Sequence, residues 1–299
     1  MGIKTNSEKF FSVVRSRSVV KPGLKLWIWL SKANILGWFL LLIGGVMMVF
    51  PFIWMISTSF KPAPETVAFP PTILPKQWTW SNYLDAFNRI DIPRLYLNTA
   101  FITIVRLIIT LYTSLLLGYV FAKFQFWGRN VLFIIILATM IIPFEVYMIP
   151  LYVMMVDFKL GNTYMALALP TLFSAYCIFM VRQFMYSIPS ELVDAARIDG
   201  AGEFTIFHQI VIPLAQPVMV TLGAFLFMWN WHDFLWPLII LTDSTKYVFS
   251  VGLATFLGEN LNSYGVLMAG STLATLPILI VFLTLQKYVI GGIALSGMK

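Results

Sequence analysis

The chain has 299 residues, of which 59% are hydrophobic and only 11% charged, with a mean hydropathy of +0.84. A soluble domain carries about a quarter charged residues, so a chain this apolar would aggregate in water, and its composition points to a bilayer as solvent. The net charge of +7 comes from basic residues lying mostly between the apolar runs, where they set membrane orientation rather than nucleic-acid binding.

Residues 1–34 form a basic arm. Its apolar run near Leu26–Leu30 is too short and too closely flanked by lysine for a secretory signal. Trp27 and Trp29 among lysines predict an interfacial helix on the cytoplasmic leaflet. Residues 35–299 form the transmembrane domain. A helix needs about 20 apolar residues to cross the hydrocarbon core, and six segments qualify: 35–57, 97–122, 131–156, 164–181, 213–241 and 265–286. The fold class expected is all-α, a polytopic membrane protein.

The segment between the first and second spans is rich in proline (Pro62, Pro64, Pro70, Pro71, Pro75) and carries Trp78, Trp80 and Tyr83. Prolines stiffen such a loop. The aromatics suit either the headgroup level or a docked partner. Arg106 stands about three turns into the second span. Ionisable groups at that depth face a bundle interior or a water-filled path, so Arg106 either pairs helices or lines a solute path. Glu145 follows Pro143 in the third span, where a proline-loosened helix offers free carbonyls; it lines the path or pairs with another subunit. Cys177, the single cysteine, excludes a disulfide framework and a cysteine-based metal site within the chain and reads as a small buried hydrophobe.

The loop at about 187–212 predicts a helix, a sharp turn and a second helix outside the bilayer. Ser190 suits an N-cap, and Glu191 with Asp194 suit the positive end of a helix dipole. Asp199-Gly200 supplies the stop, because glycine takes the left-handed conformation that a helix C-terminus wants. Phe204, Phe207, Ile210 and Val211 fall on one face of the second helix, and Pro213 ends or kinks it. Ala195 and Ala196 leave a narrow surface that fits a groove on another protein; tucking against the bundle is the alternative. In the fifth span, Trp229-Asn230-Trp231-His232-Asp233 offers aromatic faces beside amide and carboxylate groups. Such a set either holds a sugar or forms an aromatic belt with buried helix caps.

With the N-terminus in the cytoplasm, inside segments carry 13 Lys and Arg and outside loops six, so both termini are expected to be cytoplasmic. His208 and His232 lie on different segments, and the sequence has no GxxxxGK[ST] phosphate loop and no HExxH or CxxC metal motif. Any ATP must be bound by a partner.

Glu191…Ala195-Ala196…Asp199-Gly200-Ala201, followed by Ile210-Val211-Ile212-Pro213-Leu214 and Pro217, resembles the "EAA" loop of permease subunits in binding-protein-dependent ABC importers. Asp194 departs from the glutamate common in that family. Asn98-Thr99, Gly118-Tyr119…Ala122, Ile149-Pro150-Leu151-Tyr152, Phe227-Met228-Trp229-Asn230, Phe234-Leu235-Trp236-Pro237-Leu238 and the tail Gly291-Gly292…Gly297-Met298-Lys299 resemble the carbohydrate-uptake branch, which includes the smaller maltose-importer permease. The resemblance implies that Glu191, Leu192, Ala195, Ala196, Asp199, Gly200 and Ala201 couple the chain to an ATPase. It implies a second permease in a heterodimer, two ATP-binding subunits holding ATP and magnesium, and an extracytoplasmic solute-binding protein. This chain would then be a non-catalytic, multi-pass subunit of the plasma membrane without its own cofactor. Arg106, Glu145, Trp229, Asn230 and Asp233 are the candidates for the solute path. An ion-coupled secondary transporter is the alternative; it calls for inverted repeats and midplane acids that this sequence does not display. A membrane-bound enzyme would need nucleophile or metal motifs that are equally missing.

Overall fold

A computed structural model describes residues 35–259 and 263–297, with side chains at 37–258 and 263–287. The basic arm and the last two residues of the tail lie outside the described residues. The described residues fall into two compact units, divided between Trp54 and Met55.

Helix α1 (Ile35–Ser59) is almost uniformly apolar and carries Pro51 inside. A short stretch then leads to α2 (Ser81–Arg89) and to the long α3 (Ile92–Lys123), followed by α4 (Arg129–Thr139) and α5 (Phe144–Asp157). Next come α6 (Tyr164–Ala168), α7 (Ala175–Met185), α8 (Ser190–Ile198) and α9 (Glu203–Leu214). Helices α10 (Gln216–His232), α11 (Leu235–Ile240), α12 (Phe249–Glu259) and α13 (Tyr264–Gly297) complete the chain. Among the described residues there is no strand.

Among the described residues, three helices by themselves are long and apolar enough to span a bilayer, and three bent pairs raise the number to six. Six apolar segments are therefore present, but three are bent pairs, and the pair α9–α10 covers 203–232, taking in the second helix of the 187–212 loop and ending short of the expected 241. The third bends by 98° between α4 and α5, the fourth by 42° before α7, and α9 meets α10 at 76°. Pro143 does more than loosen its helix. It takes an extended conformation (φ −60°, ψ 143°) and becomes the N-cap of α5. The expected span 213–241 is also divided, because Asp233 (φ −57°, ψ 126°) stops α10 and α11 starts two residues later. Helix α12, apolar but too short to cross, follows that break and was not foreseen.

Broken backbone at membrane depth must be satisfied by neighbours. Helix α3 provides this. Its buried face carries Thr99, Thr103, Arg106, Thr110, Ser114 and Gly118, spaced three and four residues apart as one helical stripe demands. The Thr110 hydroxyl donates to the Thr171 carbonyl at 2.6 Å, and Thr113 donates to the Leu172 carbonyl, so the groups freed by the fourth-span break are caught by α3. At the other end of the stripe, a Cβ on Gly118 would stand 2.4 Å from a Val181 methyl. The missing side chain is what lets α3 and α7 approach, as small residues do between membrane helices.

The loop before α2 is tied to the end of α1 by polar side chains. Lys61 donates to the Thr72 carbonyl, and Asn82 Nδ2 donates to the carbonyls of Ser59 (2.9 Å) and Lys61 (2.7 Å). Phe60 sits against Trp78, Trp80 and Tyr83 with centroids 4.8–5.5 Å apart, leaving both tryptophans exposed.

Candidate functional site

The loop at 187–212 folds as the expected helix–turn–helix. Helix α8 begins at Ser190, so Pro189 rather than Ser190 is the N-cap. The Ser190 hydroxyl accepts instead from Lys123 Nζ at 3.2 Å, and the same ammonium donates to the Ile188 carbonyl at 2.5 Å. At the far end Gly200 has φ +83°. The amide of Ala201 donates to Ala196 O at 2.9 Å and that of Gly200 to Arg197 O at 3.0 Å, the paired closure of a glycine-ended helix.

Arg197 locks the turn from the side. Its Nη1 donates to Asp194 at 2.9 Å and its Nε to Glu203 at 2.6 Å, and Tyr119 of α3 donates to the other Glu203 oxygen at 3.1 Å. The Glu203 hydrogen bond raises the pKa of Arg197 above its ordinary value, so it is cationic throughout the physiological range. Val193 and Ala196 turn inward onto a core shared by α3, α7, α9 and α10, whereas Glu191, Leu192, Ala195 and Asp199 face outward. Ala196 is thus packed in this chain's own core, whereas Ala195, one 100° step back around the helix, is exposed.

Phe204 is the second departure. It is 72% exposed, and Ile206 takes the inward place beside Phe207 and Val211. The cause is a π-helical turn over Phe207–Val211, which winds the chain more loosely than the α-period assumes. Pro213, two residues beyond, has no N–H to give to the preceding turn. Phe204 joins Ile198, at 86% exposure, and Leu192, at 47%, as large apolar side chains left bare on the hook.

A second constellation lies between α3 and α10. Arg106 Nη1 donates to Asp233 Oδ2 at 2.7 Å, with side chains only 9% and 20% exposed. Arg106 also borders a cavity of about 780 Å³ with Thr110, Tyr147, Tyr176, Trp229 and Asn230. The cluster at 229–233 does not act as one set. Trp229 and Asn230 border the cavity, Trp231 donates to the Ala274 carbonyl at 3.0 Å, His232 is exposed, and Asp233 is taken by Arg106. Glu145 lies on the exposed first turn of α5 and is not in the cavity lining. Thr110, Tyr147 and Tyr176 are cavity residues that sequence reasoning passed over; only Thr110 had a signal, through the period of the α3 stripe.

Apolar spans broken around a cavity of mixed lining, with a capped hook packed on the bundle core, define a polytopic membrane component of a transport system. A family profile described as "Binding-protein-dependent transport system inner membrane component" matches residues 114–294. The chain belongs to that family and is a multi-pass membrane protein. It is 36% identical over 272 residues to the arabinooligosaccharides transport system permease protein AraQ of Halalkalibacterium halodurans, covering 89% of this chain and 97% of that one. It is 32% identical over 259 residues to the lactose transport system permease protein LacG of Rhizobium radiobacter, covering 87% and 94%. In fold it matches a chain of a bacterial ABC transporter involved in the import of the acidic polysaccharide alginate, with a TM-score of 0.76, 23% identity and coverage of 96% and 99%.

Proposed function

We propose that the chain is the membrane-spanning subunit of an ATP-driven importer for a sugar or oligosaccharide, and that α8 with its turn docks on an ATPase subunit. The observation carrying this reading is the hook itself: self-capped at Gly200, stapled by Arg197, and presenting Ile198 and Phe204 bare to the exterior of the chain. Apolar side chains held rigid at this exposure suit burial in a partner's groove. Glu191, Leu192, Ala195, Asp199, Gly200 and Ala201 supply the contact surface and its turn. Relatives named for arabinooligosaccharides and lactose support a carbohydrate as the solute.

The remaining parts follow from that role. A second permease completes the path in a heterodimer. Two ATP-binding subunits hold ATP and magnesium, and a solute-binding protein delivers the sugar from outside. Both termini are cytoplasmic, in keeping with the 13-to-six bias of basic residues. Arg106, Trp229, Asn230 and Asp233 stand on the solute path, and Glu145, exposed on α5, meets the second permease. Uptake of a labelled oligosaccharide by vesicles carrying the whole complex tests the reading: uptake stops on ATP depletion and survives a protonophore. The opposite pattern would assign the chain to ion-coupled transport.

A further inference from the structure

We propose that the cavity beside Arg106 is a subsite for a neutral, hydroxyl-rich solute, and that Asp233 is the residue that sets its selectivity against anionic ones. The inference rests on the importer reading for its biological setting, but its physical content is electrostatic and is tested separately.

Among the described residues Arg106 is the only charged side chain in the cavity lining. Alone, a guanidinium buried to this depth would draw an anion, because charges interact strongly where water is scarce. It is not alone. The Asp233 carboxylate stands 2.7 Å from Nη1, so the cavity meets a dipole in place of a net positive charge. Asp233 is fixed by the end of α10, and its carbonyl accepts from the Ser250 hydroxyl at 2.6 Å. A solute bearing carboxylate or phosphate must either displace Asp233, leaving a buried carboxylate unpaired, or lie beside it as a like charge. Both are costly.

What remains on offer suits hydroxyls. Arg106 Nε and Asn230 Nδ2 are buried donors without a hydrogen-bond partner among the described residues, and both residues border the cavity. Buried donors left in this state favour any ligand oxygen that reaches them. Tyr176 and Trp229 meet edge to face at 5.6 Å and 69° on the same wall, and Tyr147 also borders the space. Aromatic faces with a few convergent donors, in a volume typical of small-molecule sites, are the arrangement a saccharide requires.

The test reads the potential in the cavity directly, in the full complex with its partner subunits in lipid. Ala175→Cys places a thiol in the lining, with the parent chain as background for buried Cys177. It is labelled with anionic sulfonatoethyl and cationic trimethylammonioethyl methanethiosulfonates, each rate divided by that reagent's rate with a free thiol. With the ion pair intact the two normalised rates agree within about twofold. Adding Asp233→Asn favours the anionic reagent by roughly tenfold or more, and Arg106→Gln with Asp233→Asn restores parity. Arabinotriose protects the thiol and digalacturonate at equal concentration does not. A tenfold anionic preference in Ala175→Cys alone overturns the proposal whether or not the Asp233 variant assembles. Protection by digalacturonate, or no labelling by either reagent with and without ATP, overturns it too. Loss of ATP-dependent uptake would sink the importer reading while leaving the labelling parity intact, so the two failures are distinguishable.

Discussion

Tyr119, near the end of α3, donates to Glu203 at the start of α9 across 3.1 Å, and through Glu203 it reaches Arg197 at 2.6 Å. This chain of contacts joins a span to the protruding hook. Exposed ion pairs contribute about 0–1 kcal/mol, and Arg197 and Glu203 are partly exposed, so the contacts serve alignment more than stability. Arg197→Ala is expected to leave insertion and thermal midpoint nearly unchanged while lowering transport per ATP hydrolysed. Measuring uptake and hydrolysis together in one vesicle preparation checks this; a parallel fall of both, with a lowered midpoint, would reduce Arg197 to a structural role.

Gly200 at φ +83° has open space around its Cα, so a larger residue meets backbone strain and no clash. Gly200→Val costs about 1–2 kcal/mol from the left-handed conformation alone, and more for a β-branched residue. Membrane insertion should persist while ATPase stimulation by solute is lost. If stimulation survives the substitution, the turn is not the coupling element.

Ile198 and Phe204 cost this chain little to alter, because neither is buried in it. Ile198→Asp or Phe204→Asp should leave the purified chain's melting temperature within about 2 °C, since surface changes stay within roughly 0.5 kcal/mol, yet prevent co-purification of the ATPase subunits. Retention of those subunits by both variants would move the contact elsewhere.

Gly118→Ala is expected to part α3 from α7, costing about 1–3 kcal/mol by overpacking. The added methyl would stand 2.4 Å from Val181 Cγ1. Val181→Ala in the same chain should recover part of the lost thermal midpoint, because it removes Cγ1 but keeps Val181 Cβ, 2.7 Å from the added methyl. No recovery would mean that this Cβ, with the Arg182 backbone nitrogen 3.0 Å away, is the real obstacle.

In the loop after α1, Glu65 accepts from the Lys76 amide at 2.9 Å and the Thr72 hydroxyl at 2.8 Å. The Lys76 hydrogen bond, with Thr72 behind it, lowers its pKa below the ordinary carboxylate value. A lowered pKa contributes order that is complete above the ordinary value and lost as pH falls through the lowered one. Hydrogen exchange at the Lys76 amide, corrected for its intrinsic rate, should stay flat from pH 7 to about 5 and rise below about 4. In Glu65→Gln that rise should vanish; if it persists, another group holds the loop.

Much of the architecture was legible because lipid imposes a length rule: about 20 apolar residues mark each crossing, and the segments found that way are helical apart from their breaks. The breaks were harder to read. Pro143 was visible, but nothing local distinguishes a kink from a 98° bend, and the capture of the fourth-span carbonyl of Thr171 by Thr110 is a tertiary contact. The hook's turn was readable from Asp199-Gly200, since one backbone conformation selects glycine. The exposure of Phe204 was not, because the looser turn at Phe207–Val211 breaks the 3.6-residue period on which the expected face depended. Arg106 and Asp233 were each singled out as costly in a membrane. Their meeting across 127 residues is tertiary information that spacing does not carry.

The wide turn at Phe207–Val211 and the 76° corner after Leu214 set the rotational phase of α10 against the hook. Trp229 and Asn230 reach the cavity, and Asp233 reaches Arg106, only in that phase. Adding or deleting one residue between 207 and 215 would turn α10 by about 100° and carry all three away together. The spacing between the hook and the cavity residues is therefore fixed in length as well as in chemistry.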